Sequence, residues 1–368
     1  MKPHLARRIQ ALQAKMEQAG LDVVIFTDRE NLIYYLGTTE IECLAAVIPL
    51  RGEPVVCCLW LDAAYVKERS AAGTIKAYRF PDSTIGQTIV SAMRTLGLTA
   101  PRVGFHKYFV EFAVFDALRQ AFPEMSFHPA MDLTYRVRAV KDAGELALIE
   151  RACHFLSVGM QAAVDALRPG MTETAVLAEA EYAMRKAGSE GSTFRMQVLI
   201  HAKQLQAHPY AGDVVIENEQ PVVIHLGASC QGYAAKMCRT VALGRIADET
   251  RRIHQVLKTA QDLAVAALAP GTRVSDVYEA VHAYVAGQGY GGLILDHLGY
   301  GVGIRQSEFY PIIGKGLTHV IERDMVVDLL LPTILKPGVG GPRLTDMVRV
   351  TETGGVYLTQ FPRDLIAK

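Results

Sequence analysis

The chain has 368 residues, more than one hydrophobic core usually serves, so two domains are expected. Half of the residues are apolar, and 38 Lys and Arg balance 38 Asp and Glu, which removes the electrostatic case for nucleic acid or an anionic membrane surface. No apolar run approaches the ~20 residues of a membrane helix. The first residues are charged and amphipathic, without the apolar core and cleavage site of a secretory signal. The six cysteines (43, 57, 58, 153, 230, 238) have no framework spacing, so reduced thiols and a cytoplasmic protein are expected.

A first helix is predicted from Pro3 to Ala19, ahead of a strand in "DVVIFTD". Two short apolar runs, "AAVIPL" and "PVVCCLW", flank "RGEP", a hairpin turn signal. Helices are predicted around Leu61–Ser70, Thr84–Leu96 and Phe109–Phe122, with strands "KAYRF" and "RVGFH" between them. This alternation predicts an α/β N-terminal domain over residues 1–131. "YRVRAVKDAGELALIERAC" then changes texture: a charged connector leads into a long helix beginning near Asp142, within a second domain over 132–368.

The second half repeats itself. "LRPGMTETAVLAEAEYAMRKAG" begins at Leu167 and "LAPGTRVSDVYEAVHAYVAGQG" at Leu268. In each, a Pro-Gly pair ends one helix, a Thr or Ser is expected to cap the next, and a Gly to close it. Strand-like stretches follow each unit, "PVVIHLGA" and then "DMVVDLLLP". A unit of two helices and strands occurring twice predicts an α+β domain with pseudo-twofold symmetry, whose centre draws residues from both halves.

This layout resembles the creatinase/prolidase/aminopeptidase P group, the pita-bread enzymes with a creatinase-type N-terminal domain. The likeness covers nearly the whole chain. "VVIFTDRENLIYYLG" and "RVRAVKDAGELALIERA" are similar to the family's first strand and its domain linker. "HLGASCQGYAAKMCRTVALG", "GYGVGIRQSEFYP", "MVVDLLLP" and "GPRLTDMVRVTETG" match four site-bearing stretches in order and spacing. The resemblance implies a homodimer acting on a small-molecule substrate or ligand.

Metallopeptidase members of that group hold two divalent ions with two Asp, one His and two Glu. At the matching positions this chain carries His225, Lys236, Tyr300, Leu330 and Thr345. Four carboxylates and a neutral His sum to −4, whereas the replacements sum to +1 with His neutral. Such a pocket repels cations, and Leu330 and Lys236 cannot ligate a metal, so no metal and no cofactor are expected. Cys230 and Cys238, near His225 in sequence, lack the spacing of a soft metal site and read as packing. The glycines of "GYGVG" lack the strand–loop–helix setting of a phosphate cradle and read as tight backbone packing.

Three groups are catalytic candidates: His208, Glu308 and Lys236. His208 in "LQAHPYAGD" matches a histidine beside the substrate, which in metal-free creatinase carries the proton; histidine suits that task because it titrates near neutrality. Glu308 matches the Glu of the family's His-Glu-x-Pro stretch, with Ser307 replacing the His; a structural carboxylate is the competing reading. A buried Lys236 ammonium must be paired, deprotonated or facing an anion. His225, Tyr300, Thr345, Arg239 and Arg343 are expected to bind substrate, or else to fill and support a vacated cavity.

Two functions from different classes follow. One is metal-independent, creatinase-like hydrolysis of a C–N bond, with His208 as proton shuttle and Lys236 and Tyr300 as oxyanion donors. The other is a non-catalytic descendant that binds a small ligand, a peptide or a protein partner. A conventional Xaa-Pro metallopeptidase requires ligands that the chain lacks.

Overall fold

The computed structural model describes residues 3–38, 44–70, 72–106, 112–206, 209–330 and 334–368, apart from the side chains at 201 and 202. The chain divides into two compact units, Met1–Arg138 and Ala139–Lys368. The expected junction at 131/132 falls at the start of the helix Met131–Ala139, N-terminal to this division.

The first unit is α/β. Its opening helix, Pro3–Ala19, buries Leu5, Ile9, Leu12 and Met16, a spacing of three to four residues that draws one apolar stripe. Six described strands form one sheet in the order Thr74–Tyr78, Val55–Leu59, Ala45–Pro49, Val23–Phe26, Arg102–Phe105, Ser126–Pro129. The "RGEP" hairpin forms as predicted, pairing Ala45 with Cys57 antiparallel. The helix Ile85–Thr95 starts on a reciprocal Thr84–Gln87 capping box. Its neighbour runs Phe112–Ala121, and the part of the predicted helix before residue 112 lies outside the described residues.

The second unit opens on the long helix Ala143–Ala166, started by Asp142: its Oδ1 accepts from the Glu145 N–H at 2.9 Å while Glu145 Oε2 accepts from the Asp142 N–H at 3.0 Å. The helix pairs Ala143–Ala166 with Glu173–Ala187 and Asp248–Ala267 with Val274–Gly287 are each followed by strands, the element order the repeat predicts. Thr172 caps the first repeat's second helix and Gly188 closes it in the left-handed region. The equivalent ends in the second copy differ. Arg273, with no side-chain cap bond, stands at the N-terminus, and Gln288 at the C-terminus ahead of left-handed Gly289. The helix tolerates a missing cap because Val274, Val277, Tyr278, Val281 and Val285 bury its inner face.

Strands Glu308–Gly314, His297–Gly301, Val326–Leu329, Asp346–Thr351 and Gly354–Tyr357 make one described sheet; Ile366–Ala367, Tyr233–Leu243, Gln220–Cys230 and Gln197–Leu199 make the other. A bridge between Cys238 and Thr345 ties them together. Cys57, Cys58, Cys153, Cys230 and Cys238 are free and buried, and burial pushes the Cys57 thiol up to about 12; Cys43 lies outside the described residues. Among the described residues no helix is long and apolar enough to cross a membrane.

His254, 2% exposed on the helix Asp248–Ala267, has no hydrogen-bond partner at Nε2 among the described residues. Burial first, then the Arg239 guanidinium, hold its pKa down at about 4. The folded state therefore favours neutral imidazole. That contribution is complete above pH 6.5, the ordinary histidine value, and is lost as pH falls towards 4. We expect about 3 kcal/mol of acid destabilisation across this window. In urea titrations at stepped pH, His254→Gln should flatten this dependence.

Candidate functional site

Residues Gln220–Cys230 and Tyr233–Leu243 form a long antiparallel hairpin closed by Gln231 (φ 47°) and Gly232 (φ 82°). Two consecutive positive φ values are those of a type I′ turn, whose twist matches the strands and fixes their register. That register sets Lys236 opposite Gly227 and His225 opposite Cys238, so all four share one face. Gly227 is required there: a Cβ would lie 2.3 Å from Ser192 Oγ and 2.4 Å from the Phe194 ring. The space lets Phe194 settle 4.9 Å, centroid to centroid, from the His225 ring.

On the second sheet, Gly299 and Gly301 flank Tyr300. Added Cβ atoms would lie 2.0 Å from Asp328 O and 2.6 Å from Tyr310 O, so the glycines of "GYGVG" serve close strand packing, as the sequence predicts. The strand Val326–Leu329 brings Asp328, fully buried, against this point.

Asp328 is the residue that sequence reasoning missed. Its Oδ2 lies 2.7 Å from Lys236 Nζ, and its Oδ1 accepts the Tyr300 backbone N–H at 2.6 Å. Lys236, 4% exposed, also donates to Ser307 Oγ at 3.1 Å. The buried ammonium is thus paired, one of the outcomes its chemistry demanded. The available signal was a lone acid in an otherwise apolar strand, two residues before Leu330.

Lys236, Ser307, Tyr300, His225 and Arg343 line one cavity of about 600 Å³, with Phe194, Arg195, Gln197, Tyr210, Asp296 and His297 among its other walls. The Tyr300 hydroxyl lies 3.2 Å from His297 Nδ1. Burial, followed by the nearby Asp328 charge, pushes the Tyr300 pKa up, so its phenol stays protonated as a donor. Arg343, 2% exposed, donates to Gln197 Oε1 at 3.1 Å and to the carbonyls of Gln204 and Gln206 at 3.2 and 2.5 Å. Its Nε has no partner among the described residues, and burial pushes its pKa down. Arg195 packs 3.6 Å from the Tyr210 ring centroid.

Other expected site residues lie elsewhere. Arg239 is fully buried and spends its guanidinium on Asp346 and on backbone carbonyls. Thr345 donates its hydroxyl to Leu330 O and bridges Cys238. Glu308, 2% exposed, accepts from the Arg305 N–H at 3.5 Å; a Cβ on Gly303 would lie 3.3 Å from its Oε1 and 3.7 Å from Lys141 Nζ. None of these three lines the cavity. His208 lies outside the described residues.

The model for the creatinase/prolidase N-terminal domain matches residues 8–140, and that for metallopeptidase family M24 matches residues 147–352. The chain belongs to metallopeptidase family M24. The putative dipeptidase YkvY of Bacillus subtilis is 28% identical over 98% of this chain and 99% of its own. A Xaa-Pro dipeptidase of Pyrococcus furiosus is 26% identical over 98% of this chain and 100% of its own. Among solved structures, a Xaa-Pro dipeptidase from Bacillus anthracis superposes with a TM-score of 0.90 at 23% identity, covering 99% of this chain and 100% of that one. The N-terminal domain of the chickpea FACT complex subunit SPT16 superposes at 0.80 with 16% identity, covering 99% and 98%. The superpositions show the shared fold.

The family name implies a metal, and the donor set is the test. Lys236 offers only N–H donors and a charge paired with Asp328, neither of which ligates a cation. Leu330 offers no side-chain ligand, and the Thr345 hydroxyl is engaged by Leu330 O. Among the described residues no group of three or more His, Cys, Asp or Glu could hold a metal ion. The described residues do not fit the family's metal centre; this is a divergent, ligand-lacking member.

Proposed function

We propose that this M24 chain is a metal-independent hydrolase of a C–N bond in a small molecule. The observation that carries the reading is the Lys236 ammonium, fixed by Asp328 at 2.7 Å in the wall of a 600 Å³ cavity beside Tyr300. A preorganised cation and a protonated phenol are the donors a tetrahedral oxyanion requires, and their placement precedes the reaction. In this mechanism water attacks the carbon of the scissile C–N bond while His208 takes its proton. Charge gathers on the oxygen facing Lys236 and Tyr300, and His208 returns the proton to the departing nitrogen. Arg343, charged and without a carboxylate partner, favours an anionic substrate. Glu308 accepts from the Arg305 N–H on the turn that carries Ser307.

The test is amine or ammonia release across guanidino compounds, cyclic amidines, N-acyl amino acids and Xaa-Pro dipeptides, with and without chelator. We expect one class to react at a chelator-insensitive rate, and Lys236→Met to lower that rate by about a hundredfold or more. Loss of activity on chelation, regained with divalent ions, would overturn the reading. One observation favours a non-catalytic ligand-binding role instead: Asp328 neutralises Lys236 before any ligand arrives. That alternative predicts binding without turnover, equal in wild type and His208→Ala.

A further inference from the structure

Lys236 Nζ and Ser307 Oγ, 3.1 Å apart in the cavity wall, both keep donors unused. An ammonium carries three N–H donors and no acceptor. One is donated to Ser307 Oγ; Asp328 Oδ2, 2.7 Å away, faces the ammonium as an ion pair outside hydrogen-bond geometry, so two are left without an acceptor among the described residues. Because the ammonium can only donate, Ser307 Oγ must accept, and its own hydrogen is left without an acceptor among the described residues. The same bond leaves Ser307 without a base to activate it, which argues against a nucleophilic serine.

We propose that Lys236 and Ser307 form a cationic donor anchor that binds two oxygens of one anionic group, a carboxylate on the ligand, and that Ser307 is a specificity-determining residue of the site. The spacing of the two donor atoms suits the two oxygens of a carboxylate, which accepts at both and donates at neither. A neutral amide brings no charge to the Lys236 ammonium, and only its single oxygen can accept there, which leaves its NH₂ to the remaining lone pair of Ser307 Oγ. Asp328 holds the Lys236 charge in place, while the Arg343 guanidinium adds positive potential on the same cavity. The inference rests on the proposed hydrolase reading and deepens it by naming a carboxylate-bearing substrate: one free N–H of Lys236 meets the carboxylate and the other is left for the oxyanion.

The experiment measures equilibrium binding of N-acetylglycine and N-acetylglycinamide by titration calorimetry at matched chloride. The acid should bind at least about tenfold more tightly than the amide. Ser307→Ala should weaken the acid five- to tenfold and narrow its preference over the amide. Ser307→Thr, which keeps a hydroxyl, should restore the preference. Equal binding of acid and amide, no binding of either at 20 mM, or an unaltered preference in Ser307→Ala would each overturn the proposal. Turnover plays no part in this readout. A failed hydrolase screen would leave the anchor standing, and a failed preference would leave the hydrolase reading to its own test.

Discussion

Asp328→Ala is expected to destabilise the second unit by about 3–5 kcal/mol, the cost of leaving a buried charge without its partner. Lys236 is 4% exposed, and its ammonium faces Asp328 at 2.7 Å; with the carboxylate gone, only the Ser307 hydroxyl remains as an acceptor among the described residues. The Tyr300 N–H loses its acceptor as well. Asp328→Asn should separate the two effects, since its amide oxygen can still accept from Tyr300 while offering no charge to Lys236. Replacing both members, as in Lys236→Met with Asp328→Asn, removes the stranded charge and should return stability to within about 1 kcal/mol of wild type. Urea denaturation of wild type, Lys236→Met, Asp328→Asn and the double variant gives the cycle directly. Additive losses in the double variant would show that the pair is not coupled, and with it would go the view that Asp328 was recruited to hold an internal cation where relatives gather acids.

Much of the architecture was legible because it rests on short-range rules. The hairpin carrying His225 and Lys236 announces itself through two apolar strands around Gln231-Gly232, and the long helix through its Asp142–Glu145 box. Register then transfers the resemblance into space: Lys236, His225, Tyr300 and Arg343 do share a cavity. Asp328 was not legible, because a strand reads as apolar whether or not one acid in it meets a cation from a strand some ninety residues away. Arg239, Thr345 and Glu308 do not line the cavity. Their types suit a site and their sequence positions lie beside one, but the Arg239 guanidinium is held by Asp346 and backbone carbonyls and the Thr345 hydroxyl by Leu330 O. Side-chain partners are set by tertiary contact, which neither propensity nor periodicity encodes.

Arg239 shows how firmly such a partner set can hold a residue away from chemistry. Arg239→Met is expected to cost at least about 3–5 kcal/mol, because the wild-type guanidinium satisfies five acceptors at full burial. Nε reaches Pro362 O at 2.7 Å, Nη1 reaches the Cys238 and Thr345 carbonyls at 2.7 and 3.1 Å, and Nη2 reaches Asp346 Oδ1 and Phe361 O at 2.6 and 3.2 Å. Asp346 would keep the Thr359 hydroxyl at 2.6 Å and the more distant Arg363, an incomplete replacement. Two of the abandoned carbonyls lie in the C-terminal segment, so amide exchange should quicken at Ile366–Ala367, which pairs with Val241 and Ala242. Arg239→Lys should recover little, since one compact ammonium cannot reproduce a planar fork aimed at five oxygens. A second readout follows from His254, whose pKa the Arg239 charge helps to depress. Removing that charge by Arg239→Met should raise the His254 pKa towards 6.5 and make the acid limb of stability shallower. Were Arg239→Lys to match wild type in both denaturation and exchange, the charge alone would suffice, and the fork would have no structural role.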